Sequence, residues 1–386
     1  MAAIDRILLA LTAERPPLAN QMVVMGRGSL DSDELQHALD ITTEANPGSA
    51  LVLRGMDGSA SWHAEQPPPL RHVSAPGWSG DDDHGAEFFA DRLNAVRGPS
   101  CEVVTVDAGD KVAIVFRSLH AVMDGRGTVM WAEEFMRALR GEPLLGHRST
   151  LNTDELMRGI TDETRAMPEP DAVHPLGRIT DVELTGAFHW RRLTLDRPLD
   201  PGMLCRIAIA LKDLAVKNGP GEVRFTIPVD ARRHCPGERT TGNLLGSLHV
   251  PVTDQSAQGL GLQIVQQLYR NKDALQPAWH RELSGIATSR LRMHIRSSLA
   301  HIRLQGLHLS TAILSNLGRL SSAALSGGAF EATSAFFVPP LADWACFVGI
   351  NGFDEQVEVT VALPTGYCLD DGLERIASEV RAALTD

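Results

Sequence analysis

The chain has 386 residues, long for one hydrophobic core and suited to two domains. Its hydrophobic content of 43% and charged content of 22% are those of an ordinary soluble globular protein, and a net charge of -12 excludes the basic face that a nucleic-acid partner requires. The five cysteines, Cys101, Cys205, Cys235, Cys346 and Cys368, are scattered and contain no CxxC, which excludes a disulfide framework or a zinc ribbon and fits a reducing, cytoplasmic compartment.

At the N-terminus Ile4, Ile7, Leu8 and Leu11 recur at helical spacing, and no run of about 18 apolar residues exists anywhere that would span a membrane. MVVM at 22–25 reads as a strand and 31–45 as a helix. The segments ALVLRG and SWHA predict a hairpin closed at Asp57-Gly58, followed by loop text through PPPL and APGWSGDDDHG. EFFADRLNAV predicts a helix, CEVVTVD and KVAIVFRSLH two strands, and GTVMWAEEFMRALRG a helix ended by Gly141. From about 142 to 187 the text is irregular, with three prolines in 168–177, and the domain crossover is expected there.

The same alternation then restarts. FHWRRLTLD reads as a strand, PGMLCRIAIALKDLAVKNG as a helix, EVRFTIPV as a strand, DARRHCPGERTTGN as a polar loop and LLGSLHVPV as a strand. Helices are expected near 256–275 and 286–304, strands near 307–314, 333–338, 344–350 and 355–363, and a helix at the C-terminus. The expectation is an α/β (α+β type) protein of two similar layers, with domains at 1–165 and 188–386 joined by a linker at 166–187.

Few motifs carry chemistry. GRGSLD at 26–31 lacks the third glycine of a dinucleotide fingerprint, and Asp31 or Ser29 is better read as a helix N-cap. DDDH at 81–84 reads as a solvated loop, HREL at 280–283 is not a zinc helix, and neither GxSxG nor a phosphate-binding glycine loop occurs. His120 differs. It closes an apolar strand, where α/β proteins place chemistry, and imidazole titrates close enough to neutrality to take a proton from a nucleophile. Asp124 follows one turn later, suited to ordering the loop, and Gly125 and Gly127 allow a tight path and an open approach.

HAVMDG resembles the HxxxDG motif of the chloramphenicol-acetyltransferase-like superfamily, whose members include condensation domains of peptide synthetases, polyketide-associated acyltransferases and plant BAHD acyltransferases. The likeness runs along nearly the whole chain. SALVLRGMDGSASWH resembles the early strand pair with its arginine, here Arg54; FTIPVDARRHCPGERTTGNLLGSLHVPV resembles the second-domain segment; LSTAILSNLG resembles the S-N-x-G strand end. Three features depart from the pattern. Leu119 stands where condensation domains place a first histidine, the DFGWG motif is absent (ADWACFVG only loosely matches that region), and the chain is shorter than most relatives. These favour a stand-alone acyltransferase over a synthetase module.

The resemblance implies two pseudo-dimeric lobes with an active-site tunnel between them, and His120 as general base for a hydroxyl or amine attacking an acyl-CoA or carrier-protein thioester, in secondary metabolism or lipid biosynthesis. It implies Asp124 paired with Arg54, Ser315 or Asn316 near the oxyanion, and Asn243 and Gly242 along the tunnel. No metal or permanent cofactor is implied; the partners are a small-molecule acceptor and an acyl or peptidyl carrier protein, and the chain is expected to be a monomer. The alternatives are a superfamily member using His120 for cyclisation or another proton transfer, and a non-catalytic carrier-protein docking scaffold.

Overall fold

In the first lobe the central strands carry apolar residues on both faces, because both faces of the sheet are covered. Along Ala19–Gly28, Met22 and Val24 point to one face and Val23 and Met25 to the other, and all four are buried. Ile114 and Phe116 alternate with Ala113 and Val115 along Val112–Leu119 in the same way. One face packs under the helices Ser32–Ala45 and Gly125–Leu139, through Leu35, Leu39, Trp131 and Phe135. The other face meets the second lobe, where Trp190 and Ala362 join Val104, Val115 and Phe336. The computed structural model describes residues 1–14, 17–180, 187–340 and 346–385.

The first sheet has five strands in the order Phe330–Val338, Ala19–Gly28, Val112–Leu119, Cys101–Asp107 and Leu70–Ser74. The second has six, in the order Leu245–Pro251, Arg224–Asp230, Ala312–Leu320, Cys346–Phe353, Gln356–Pro364 and Phe188–Leu195. Both are open and mixed. The pairings of Ala312–Leu320 with Arg224–Asp230 and with Cys346–Phe353 are parallel, and so is that of Leu70–Ser74 with Cys101–Asp107. Helices Met203–Asn218, Ala257–Tyr269 and Gly372–Thr385 cover the second sheet.

Most sequence expectations match this order. The N-terminal apolar spacing is the helix Ala3–Glu14, Asp31 caps Ser32–Ala45 by accepting from the Asp33 and Glu34 N–H groups, and Gly141 follows Gly125–Leu139 with φ +67°. Four differ. EFFADRLNAV is a helix only over a short 3-10 turn, Glu87–Ala90. Arg117 explains it: its guanidinium takes the carbonyls of Phe89 at 3.1 Å and Asp91 at 2.6 Å, which a continuing helix would need, while Phe88 and Phe89 pack on Trp78. The stretch after 142 contains a capped helix, Thr153–Ile160, whose Asn152 and Glu155 form a reciprocal capping box. The expected strand near 307–314 is only Leu307–His308, and its neighbour Ala312–Leu320 runs further than predicted. Finally, Phe330–Val338 pairs with Ala19–Gly28 and is an edge strand of the first sheet, so residues 188–386 supply one strand to the lobe expected at 1–165. Part of the linker expected at 166–187, residues 181–186, and the start of ADWACFVG lie outside the described residues.

Arg117 is fully buried and also bonds Gln21 Oε1 at 2.6 Å and pairs with Glu102. A charge so placed is tolerated only while paired. Replacing Glu102 by Ala is therefore expected to lower stability by about 3–5 kcal/mol, read as a shift of the urea midpoint with unchanged slope.

Candidate active site

Leu119 ends its strand opposite Ala19, and the His120 N–H is still held by the Leu18 carbonyl at 3.0 Å. The chain then turns once, with Val122 and Met123 N–H both bonded to the Leu119 carbonyl, and enters the helix Gly125–Leu139. Asp124 is the N-cap. Its Oδ1 accepts the Gly127 N–H at 2.6 Å, a stabilising site for an anion at a helix N-terminus. This strand–turn–helix fixes the imidazole at the seam between the lobes.

His120 Nδ1 lies 3.3 Å from the Met123 carbonyl and 3.3 Å from Asn20 Nδ2. The carbonyl only accepts and the amide NH2 only donates, so the two contacts call for opposite tautomers; in the one with the proton on Nδ1, donated to Met123, the Nε2 lone pair is free, and Nε2 has no hydrogen-bond partner among the described residues. Asn20 is itself tied to the same carbonyl at 2.7 Å. Burial lowers the His120 pKa below 6.5, opposed by the Asp124 charge and the Met123 carbonyl. The ring is thus neutral at neutral pH and able to accept a proton.

Asp124 is 4% exposed and does not pair with Arg54. Arg54 sits on the exposed hairpin, 2.6 Å from Glu65 and bonded to the Val96 carbonyl at 2.9 Å. The partner of Asp124 is Arg232, at 3.0 Å, in the 3-10 turn Ala231–His234 of the second lobe. Arg232 also reaches Asp230 at 2.8 Å and the Gly242 carbonyl at 2.7 Å, while Asp124 Oδ2 accepts the Leu244 N–H at 2.8 Å. On the hairpin Arg54 is taken up by Glu65 and the Val96 carbonyl, whereas 230–244 brings Arg232 and Leu244 to Asp124. The glycines differ from expectation too. Gly125 and Gly127 are helical, and Gly127 matters for close approach: a Cβ there would sit 2.0 Å from the Thr241 carbonyl oxygen. The second lobe's 240–242 loop rests directly on the helix start.

Asn243 does not line the cavity. Its Nδ2 donates to the His120 carbonyl at 2.9 Å and to Asp5 at 3.1 Å, and so ties the His120 turn to the N-terminal helix. Burial pushes the Asp5 carboxyl up to about 6 against the lowering effect of Asn243. His120 lines a cavity of about 310 Å³ shared by both lobes, with Asn20 and Arg126 from the first lobe and Ser315, Asn316 and Thr360 from the second. Asn316 Oδ1 accepts the Gly318 N–H at 2.9 Å, which fixes Nδ2 as a donor, and Nδ2 has no partner among the described residues.

Asn20, Arg232 and Asp5 were not anticipated. Arg232 was legible, lying in the VDARRHC segment already singled out. Asn20 and Asp5 carry no local signal, since each is functional only through contacts made by folding. The acids of DDDH are structural: Asp82 pairs with Arg191 and Asp83 with His189.

No protein-family model matches the chain, and no curated protein matches it. Solved structures do. The starter condensation domain of rhizomide synthetase RzmA, as a variant in complex with C8-CoA, superposes with a TM-score of 0.66 at 14% identity, covering 100% of this chain and 94% of that one. The first condensation domain of the CDA synthetase gives 0.65 at 14% identity, covering 100% and 96%, and the epimerization domain from the third module of tyrocidine synthetase B gives 0.59 at 14%, covering 100% and 94%. The chain has the condensation-domain fold, two chloramphenicol-acetyltransferase-like lobes.

Asp124→Asn and Arg232→Ala are each expected to cost about 3–5 kcal/mol, because each leaves a buried charge or its donors unpaired. The double variant should lose less than the two single losses added, since the sites are in contact. Arg54→Ala, on an exposed pair, should stay within about 0.5 kcal/mol of the parent. Denaturant melts of the four proteins check all three outcomes.

Proposed function

We propose that the chain is an acyltransferase that moves an acyl group from a CoA or carrier-protein thioester to a hydroxyl or amine acceptor, with His120 as general base. What supports this reading is the placement of His120 in the lining of a cavity shared by both lobes, with Nδ1 beside the Met123 carbonyl and Nε2 without a partner among the described residues. Nε2 takes the acceptor's proton as its oxygen or nitrogen attacks the thioester carbonyl. The tetrahedral oxyanion lies near the Asn316 Nδ2 donor. Collapse breaks the carbon–sulfur bond, and the leaving thiolate recovers the proton from the imidazolium, giving an ester or amide and a free thiol.

Direct transfer is favoured over an acyl-enzyme. No serine or cysteine hydroxyl or thiol is hydrogen-bonded to His120 among the described residues, and a nucleophile needs such a base beside it. Burial also holds Cys101 up at about 12 and raises Cys346. Asp124, enclosed by the Gly127 and Leu244 N–H groups and Arg232, is a positioning residue. The similarity to a domain crystallised with C8-CoA supports a thioester donor.

A thiol-release assay with acyl-CoA and carrier-bound thioesters, with and without amine and alcohol acceptors, tests the reading. Thiol release should depend on acceptor, and His120→Ala should lower turnover by about 10²–10⁴-fold while leaving the melting temperature nearly unchanged. A folded His120→Ala protein with full turnover overturns it. Asn316→Ala should reduce kcat by about 10²–10³-fold with little change in KM. Because the base must be neutral and burial lowers its pKa, kcat/KM should rise with pH through a midpoint below 6.5 and stay flat above it.

A further inference from the structure

A second cavity, of about 990 Å³, lies on the outer face of the edge strand Leu245–Pro251, roofed by the helices Ala3–Glu14 and Thr288–Gln305. Leu245 lines both this chamber and the His120 cavity, so the two adjoin at that side chain. Its walls carry aliphatic side chains, among them Ile4, Ile7, Leu291 and Ile295, together with polar ones, His294, Ser297, Ser298 and His301 on the roofing helix and the carboxylate of Glu169. A cation lines it too. Arg165, on the short strand Thr164–Arg165, donates to the Ser247 carbonyl and hydroxyl, both at 2.7 Å. Among the described residues Arg165 forms no ion pair, and its terminal nitrogens keep N–H groups beyond the two given to Ser247. A guanidinium largely out of water is costly without a counter-charge.

Ser247 is two residues along the strand from Leu245, so Arg165 lies about 7 Å beyond the junction with the His120 cavity. Beside it His249 and His280 are pulled down to about 4 by burial and by the Arg165 charge, so they stay neutral and do not compete as cations.

We propose that this chamber binds an aliphatic chain bearing an anionic group, the chain lying between the two helices and the anion on Arg165. This rests on the acyltransferase reading for its role. The chamber would then hold the larger substrate, an acyl group or acceptor with a carboxylate several carbons from its reacting end. The His120 cavity, a third of the size, holds only the reacting groups.

The test uses two probes of one length, decanoate and 1-decanol, titrated calorimetrically into the full chain. Decanoate should bind about tenfold more tightly or better, the gain of a charge-assisted pair. Arg165→Met should bring decanoate down to the affinity of decanol and leave decanol unchanged, which also reports an intact chamber; Arg165→Lys should restore part of the preference. Equal affinity in the parent, no binding of either probe, or an undiminished preference in Arg165→Met overturns the proposal. His120→Ala should bind both probes like the parent. Full turnover in His120→Ala with the preference intact defeats only the acyltransferase reading. His120-dependent turnover without the preference defeats only the chamber.

Discussion

The carboxylate of Asp124 is the constraint on which the seam depends. It caps a first-lobe helix, accepts a second-lobe N–H from Leu244 and pairs with Arg232, and both charged side chains are buried. Such a group adds little net stability compared with an apolar filling, but any arrangement that separates it from its partners is strongly disfavoured. It therefore selects one relative placement of the lobes from the several that apolar packing alone would tolerate. His120 stands four residues earlier on the same turn, so the placement that satisfies the carboxylate also sets the imidazole against the opposing wall of Asn316 and Thr360.

Around that point the polar contacts divide into two kinds. Asn20, Asn243 and the Met123 carbonyl hold the His120 turn from several sides through the Asn20 and Asn243 amide nitrogens. Nε2 of His120 and Nδ2 of Asn316 are left open. A site of this kind is preorganised: the groups that would meet developing charge need not be freed from other partners first.

Much of this was legible in the sequence, and the exceptions share a cause. The central strands of the first sheet were legible from their apolar content, and helix limits from Asp31 and Gly141, because these are local signals, whereas the edge strand Leu70–Ser74 carries no such run. HAVMDG stands out by its residue types, and it forms the turn beside the cavity. The identity of the partner of Asp124 was not, since Arg54 and Arg232 are both arginines on plausible neighbours and only the tertiary path of 230–244 decides between them. EFFADRLNAV has a helical pattern, but Arg117, distant in sequence, claims its carbonyls. Asn243 sat in a recognisable segment, yet its grip on the His120 carbonyl depends on a helix at the opposite end of the chain.

The strand Phe330–Val338 has a consequence for the order of synthesis. Until it emerges, Ala19–Gly28, apolar on both faces, is an unprotected edge of the first sheet. The strands on its other side are complete once Leu119 has been made, but the ribosome must continue to Phe330 before the edge can close. At about 5–20 residues per second that interval is on the order of ten seconds or more. A nascent chain of this topology spends that time with its most aggregation-prone surface exposed, so its yield in a cell is governed by what shields that edge during translation as well as by the stability of the finished fold.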